Sequence, residues 1–148
     1  GAQKRVFRLI PGLEQAEFHR YGVMHRNTFI HGPSVLNRAF QFKKYPHLFA
    51  AGQLTGVEGY MESTASGLIA AVQVLRYVQG KQFLTFPEES LFGALSRHVS
   101  TDTEDYQPMS ANFGILPPLA EPIKNKQLRK EAYAMRSLDA LQGLGGNS

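Results

Sequence analysis

The chain has 148 residues, of which 43% are hydrophobic and 19% charged, enough for one domain with a core and far from the composition of a disordered segment. It contains no cysteine, which excludes disulfides, thiolate metal sites and a cysteine nucleophile within these residues. A net charge of +4 and a pI near 9.5 suit a nucleic-acid partner but are common in proteins that have none.

The first section is short and punctuated by turns. Val6 to Ile10 is strand-like and stops at Pro11-Gly12; Phe18 to Val23 alternates again. Asn27 to Ile30 and Ala39 to Phe42 are two more short strand candidates, with Gly32-Pro33 between them. After Lys43-Lys44-Tyr45-Pro46 the character changes: Leu48-Phe49-Ala50-Ala51-Gly52 is a continuous apolar run ending in glycine, the pattern of a buried parallel strand. A glycine-rich turn follows, and Ser63 to Gln79 reads as a helix with Leu68, Val72, Leu75 and either Val78 or Gln79 at helical spacing and Gly80 at its end. Strand, glycine turn and small-residue helix make half of a dinucleotide-binding unit.

Further on, Pro87-Glu88-Glu89 announces a helix to about His98 with Leu91, Phe92, Leu95 and Val99 inward. Residues 100–122 read as loop, and Lys124 to Gln142 as a last amphipathic helix with Leu128, Ala132, Met135, Leu138 and Leu141 on one side. The longest apolar stretch, Leu68 to Leu75, is broken by Gln73 and falls far short of the roughly 20 residues of a membrane span. The first residues carry no apolar segment with a cleavage pattern. No membrane association and a cytoplasmic location are therefore expected.

The site-like stretch runs from Gly52 to Gly67. Its glycines allow close backbone approach to a ligand, and a helix start offers free amides and a positive dipole end. Gln53, Thr55 and Ser63 can hydrogen-bond a ribityl chain or a ring edge, Tyr60 is a flat stacking surface, and Ala65 and Gly67 remove bulk at the helix start. A ligand-free turn between a strand and a helix explains the same composition equally well. Glu58 and Glu62 are read as helix-start carboxylates rather than paired acid catalysts. His19, His31, His47 and His98 stand at no ligand-like spacing, so no metal site is expected.

Gly52-Gln53-Leu54-Thr55-Gly56-Val57-Glu58-Gly59-Tyr60, continuing to Gly67, closely resembles the carboxy-terminal flavin signature of the TrmFO (Gid) family of folate- and FAD-dependent tRNA uracil-5-methyltransferases. The resemblance takes in Arg8 to Glu14, Tyr21 to Phe29, Phe86 to Glu89 and Gln107 to Pro118. Ser110 departs from the family's usual asparagine. The family's Gly-x-Gly-x-x-Gly loop and its two mechanistic cysteines are absent.

The resemblance implies the carboxy-terminal part of an α/β flavoprotein. Residues 1–44 would be the end of an inserted substrate and folate-side α/β domain, and residues 45–148 the carboxy-terminal part of a Rossmann-like FAD-binding domain. It implies FAD, with NADPH or NADH as reductant and methylenetetrahydrofolate as one-carbon donor to C5 of a T-loop uridine in tRNA. Gly52, Gln53, Thr55, Gly56, Val57, Glu58, Gly59, Tyr60, Ser63, Ala65 and Gly67 would line the cofactor. His25, Arg26 and Asn27 would meet the folate, with His25 stacked on its pterin. No catalytic residue is expected in this piece, which would need the remaining amino-terminal part to act. From its charges rather than from the resemblance, the last helix would attract tRNA phosphates through Lys124, Lys126, Arg129, Lys130 and Arg136 while Leu128, Met135 and Leu138 face the protein; a solvated face whose lysines keep the protein soluble explains them equally well. Two rivals are a flavoprotein that modifies tRNA wobble uridines, whose flavin segment reads differently after the glycine, and a non-enzymatic tRNA- or partner-binding domain.

Overall fold

The structure is a computed structural model that describes residues 2–21, 28–103, 106–110 and 113–144. Those residues form a mixed helix and strand chain. Its helices are α1 (Ala2–Phe7), α2 (Gly32–Val35), α3 (Tyr60–Val78), α4 (Leu91–His98) and α5 (Lys126–Gln142), and its strands are β1 (Val57–Glu58) and β2 (Met109–Ser110).

Strand pairing is sparser than the sequence suggests. Val6 to Ile10 is not a strand: α1 covers its beginning and tight turns continue it, Leu9 N–H donating to Val6 and Ile10 N–H to Phe7. An apolar run with no neighbouring strand satisfies its backbone locally. Phe18 to Tyr21 is also irregular, closed by the stacked rings of Phe18 and Tyr21. Thr28 to Ile30 is irregular, and Ile30 N–H donates to the Leu54 carbonyl.

The run Leu48 to Gly52 is not a parallel strand. It makes one antiparallel bridge, Gln41 to Phe49, beside a second from Leu36 to Phe42. Between them Phe40 turns the chain at φ 60° while completely buried. That backbone region costs a bulky residue roughly 1–3 kcal/mol, and full burial of a phenylalanine offsets about as much. Asn37 completes the turn, its Oδ1 accepting from the amides of Ala39 and Gln41.

The parallel sheet that does form is the two-stranded pair of β1 and β2, with Val57 opposite Met109 and Glu58 opposite Ser110. Around it sits one core of Phe40, Val57, Ile69, Ala70, Ala94, Leu95, Val99, Ile115 and Leu116. Helix α3 packs on α4, on β1 and on the 3-10 turn Gly52–Thr55. Its buried Gln73 holds the following segment by two bonds, Nε2 donating to the Leu84 carbonyl and Oε1 accepting the Leu84 amide.

Helix α4 starts later than the proline suggests. Pro87 to Ser90 form a turn, and Ser90 caps the helix by accepting from Gly93 N–H. Glu88 instead joins Arg38 and Arg97, each 3.0 Å away. Helix α5 keeps Ala132 and Leu141 half-buried as expected, but turns the other three expected side chains outward. Leu128, Met135 and Leu138 are 55%, 58% and 55% exposed. The face with Tyr133 and Arg136 is drawn inward because Arg136 donates to the carbonyls of Pro117 and Pro118 and Tyr133 packs against the core.

Among the described residues no helix is long and apolar enough to cross a membrane, and no three His, Asp or Glu side chains gather as a metal site would require.

Candidate functional site

The stretch from Gly52 to Gly67 folds as a platform: a 3-10 turn, a left-handed glycine, a two-residue strand and the first turns of α3. Three of its glycines have positive φ, Gly52 at 69°, Gly56 at 84° and Gly59 at 99°. At Gly56 the space is also closed, since a Cβ there would stand 2.5 Å from the hydroxyl oxygen of Tyr106. At Gly59 a Cβ would collide with the carboxylate of Glu62.

Interior hydrogen bonds fix this shape. The Gly52 amide donates to Ser66 Oγ at 2.7 Å, and that hydroxyl donates to the Ser63 carbonyl at 2.7 Å. Thr55 is completely buried; its Oγ1 donates to the Gly52 carbonyl at 2.8 Å. The Gly56 carbonyl accepts from Met109 N–H, tying the platform to the Gln107–Pro118 block. Tyr106 closes the arrangement from below, donating its hydroxyl to the Thr55 carbonyl at 2.5 Å.

Tyr106 is held by other rings: His98 stacks on it at 5.1 Å and His31 meets it edge-on at 5.4 Å. Burial pushes the Tyr106 pKa up to about 12, so at neutral pH it is a firm donor. Burial lowers the His98 pKa, against the opposing pull of a hydrogen bond with the Gln107 backbone.

The residues singled out from sequence therefore separate into two sets. Thr55 and Val57 are buried and committed to the scaffold. Ala65 packs against the core and Gly67 lies open on α3, with nothing within 4 Å of where its Cβ would be. Gln53 and Tyr60 face outward, Tyr60 at 96% exposed. Glu58 lies in β1 and Glu62 in the first turn of α3. Ser63 is half-buried, its amide bonded to the Gly59 carbonyl. His25, Arg26 and Asn27 lie outside the described residues.

Among the described helices of eight or more residues, α3 differs at its start. Ser90 caps α4 and Asn125 caps α5, but at Gly59 no side chain caps α3. The first amides of a helix have no partner within the helix, so those of Tyr60, Met61 and Glu62 point at whatever lies before the turn. Next to them, a cleft of 300 Å³ runs between α3, α4 and α5, lined by Met61, Glu62, Ala65, Phe92 and Leu141 among others.

Sequence reading missed Tyr106 and Ser66. Ser66 sits inside the glycine-rich block, one turn beyond Ser63, where a small hydroxyl on the buried side of a helix signals a bond to nearby backbone. Tyr106 gave no local signal, because its partner lies 51 positions away.

Comparison with known proteins follows the same stretch. The family model of "Glucose inhibited division protein A" matches residues 1–82. A protein of Syntrophomonas wolfei is 55% identical over 142 residues, which are 95% of this chain and 33% of that protein. A Bacillus pumilus protein is 54% identical over 143 residues and one of Bacillus subtilis 50% over 143, each match taking 96% of this chain and 33% of the relative. All three relatives are named methylenetetrahydrofolate--tRNA-(uracil-5-)-methyltransferase TrmFO. The chain spans about a third of the length of the curated relatives it matches.

Proposed function

The chain belongs to the glucose inhibited division protein A family, and on that footing we propose that it is one part of an FAD- and folate-dependent tRNA uracil-5-methyltransferase. The full protein would move the one-carbon unit of methylenetetrahydrofolate to C5 of a T-loop uridine, with NADPH or NADH as reductant, in the cytoplasm. Half-identity to three proteins of that name supports the reading.

The observation that carries it is the uncapped start of α3 beside the exposed Tyr60, both presented by a glycine platform whose shape is fixed from inside. These residues fit part of a flavin. Tyr60 offers a ring face, Gln53 an amide, and the helix start donors and a positive dipole end. Glu62, lying against Gly59, disfavours a phosphate there, so an uncharged polar ring edge suits the position better than the cofactor's diphosphate. Bound FAD would supply hydride and one-carbon redox chemistry. The chain's own contribution is to orient the ring and keep its donors pre-aligned. Thr55, Ser66 and Tyr106 do this indirectly, by holding the platform.

His25, Arg26 and Asn27 are proposed as the folate side, because they lead directly into Thr28 to Ile30, whose Ile30 amide is bonded to the platform at Leu54. Residues 1–44 are proposed as the end of an inserted domain and 45–148 as part of a Rossmann-like FAD domain, with Phe40 the residue of the first that enters the core of the second.

Purified full-length protein should carry FAD and transfer label from methylenetetrahydrofolate to C5 of a T-loop uridine in unmodified tRNA. Label at the wobble uridine instead would favour the related wobble-modifying flavoprotein. Tight tRNA binding with neither flavin nor transfer would favour a binding module.

A further inference from the structure

Helix α3 runs for nineteen residues and carries only two charges, Glu62 and Arg76. Both fall away from one side of it. That side runs from Tyr60 through Thr64, Gly67, Ala71 and Leu75 to Val78 by the helical step of 100° per residue, and it holds no charge at all. Its large side chains stand in solvent: Leu68 is 55%, Leu75 58% and Val78 76% exposed. The buried side is the opposite one, made of Ser66, Ile69, Ala70 and Gln73. A surface helix ordinarily turns polar residues outward; α3 turns apolar ones to both sides, the pattern of a helix covered all round.

Gly67 points the same way independently. Glycine inside a helix is the poorest helix former apart from proline. Where a glycine is needed inside a protein, a Cβ meets a neighbour, as at Gly56 and Gly93 here. At Gly67 it would meet nothing within 4 Å. Nothing among the described residues therefore calls for a glycine at that point. With Thr64 and Ala71 one turn either way and open space where its Cβ would be, Gly67 leaves a surface on which a second backbone can approach closely.

The geometry points to this side of α3 as the docking seat for the remaining two-thirds of the full-length protein, met by an apolar segment whose backbone passes over Gly67. The inference rests on the reading that the chain is part of a longer enzyme, and deepens it by assigning the contact surface. Length supports this occupant: each relative is about three times as long as its match to this chain. A second copy of the same chain is the competing occupant. Because Tyr60 heads the same side, the docked segment would end beside the proposed flavin ring, which places the cofactor at the seam.

Two measurements test this. In the first, side-chain oxidation by hydroxyl radicals is compared between the 148-residue chain and the full-length protein. Labelling at Leu68 and Leu75 should fall about fivefold in the full-length protein, as expected when half-exposed side chains enter an interface core. Equal labelling in both would overturn the proposal. Protection that appears in the short chain alone as its concentration rises would overturn it in favour of a second copy.

In the second, Gly67→Leu is made in both proteins. It should leave the Tm of the short chain unchanged or raised, and lower that of the full-length protein. The same sign in both would refute close approach at Gly67. Flavin content and methyl transfer by the unsubstituted full-length protein report separately on the underlying function, so a working methyltransferase with Leu68 still labelled would refute only the docking seat.

Discussion

Tyr106 donates its hydroxyl to the carbonyl of Thr55 at 2.5 Å, across 51 positions of sequence. Its ring also fills the space where Gly56 lacks a side chain. One residue from the carboxy-terminal half thus sets both the peptide before and the glycine at the left-handed turn of the platform.

Tyr106→Phe should destabilise the chain by about 1–3 kcal/mol, the cost of leaving a buried acceptor without its donor. Urea unfolding followed by circular dichroism measures this, with an unchanged m-value. A loss below roughly 0.5 kcal/mol, the range of neutral surface changes, would mean that water replaces the phenol.

Gly56→Ala should cost more than Gly12→Ala, although the two glycines have similar positive φ, 84° and 89°. Strain of the backbone is common to the two; only Gly56 adds a collision with the Tyr106 ring, while Gly12 has nothing within 4 Å. Thermal unfolding of the two variants side by side settles it, and equal losses would show that the ring moves aside freely.

Acid should weaken the fold through His98. Burial lowers its pKa below the ordinary 6.5, so as pH falls the unfolded chain takes up the proton first. The contribution is complete above pH 6.5 and is lost as pH drops below it toward the folded value. Tyr106 has the opposite sign: with its pKa raised from 10.0 to about 12, its contribution is complete below the first value and is lost between the two. Urea midpoints across these windows should fall at both ends. His98→Gln should flatten the acid side alone, and an identical acid slope in that variant would exonerate His98.

Tyr60→Ala should leave the stability of the chain within about 0.5 kcal/mol, since a surface side chain with no partner contributes little; it is 96% exposed. In the full-length protein the same change should reduce flavin retention or shift the flavin spectrum. Unaltered flavin binding would remove Tyr60 from the proposed site.

Replacing Lys126, Arg129 and Lys130 together with Gln in the full-length protein should flatten the salt dependence of tRNA binding, by at most about 0.7–0.9 log units for each phosphate no longer neutralised. Arg136→Gln belongs to another class. Its guanidinium already serves the carbonyls of Pro117 and Pro118, so its loss should loosen α5 without a specific effect on the salt slope. An unchanged slope in the triple variant would leave these cations to solubility alone.

Helices α3, α4 and α5 and the glycine platform were legible in the sequence because their signals are local, whereas the short α1 and α2 were not read as helices. Glycine spacing, small residues and helical period lie within one window of chain, and α3 and α5 appear within three residues of their expected starts. Strands and helix faces were less legible because they depend on partners. Leu48 to Gly52 has the composition of a parallel strand, yet among the described residues its one bridge is antiparallel, to Gln41. The face of α5 was assigned by counting leucines, whereas two proline carbonyls captured by Arg136 decide it. Arg136 also moved from the expected phosphate-binding set to the scaffold, a change visible only once Pro117 and Pro118 are in place.

The parallel pairing of Val57 with Met109 bears on the order in which the molecule is made. A ribosome adds roughly 5–20 residues per second, so the glycine turn leaves the exit tunnel several seconds before β2 and Tyr106 can reach it. During that interval α3 can form but the turn at Gly56 has neither its sheet neighbour nor its phenol. The platform is thus completed late in synthesis, and a nascent chain truncated before Met109 would present its helix without a finished seat for a ligand.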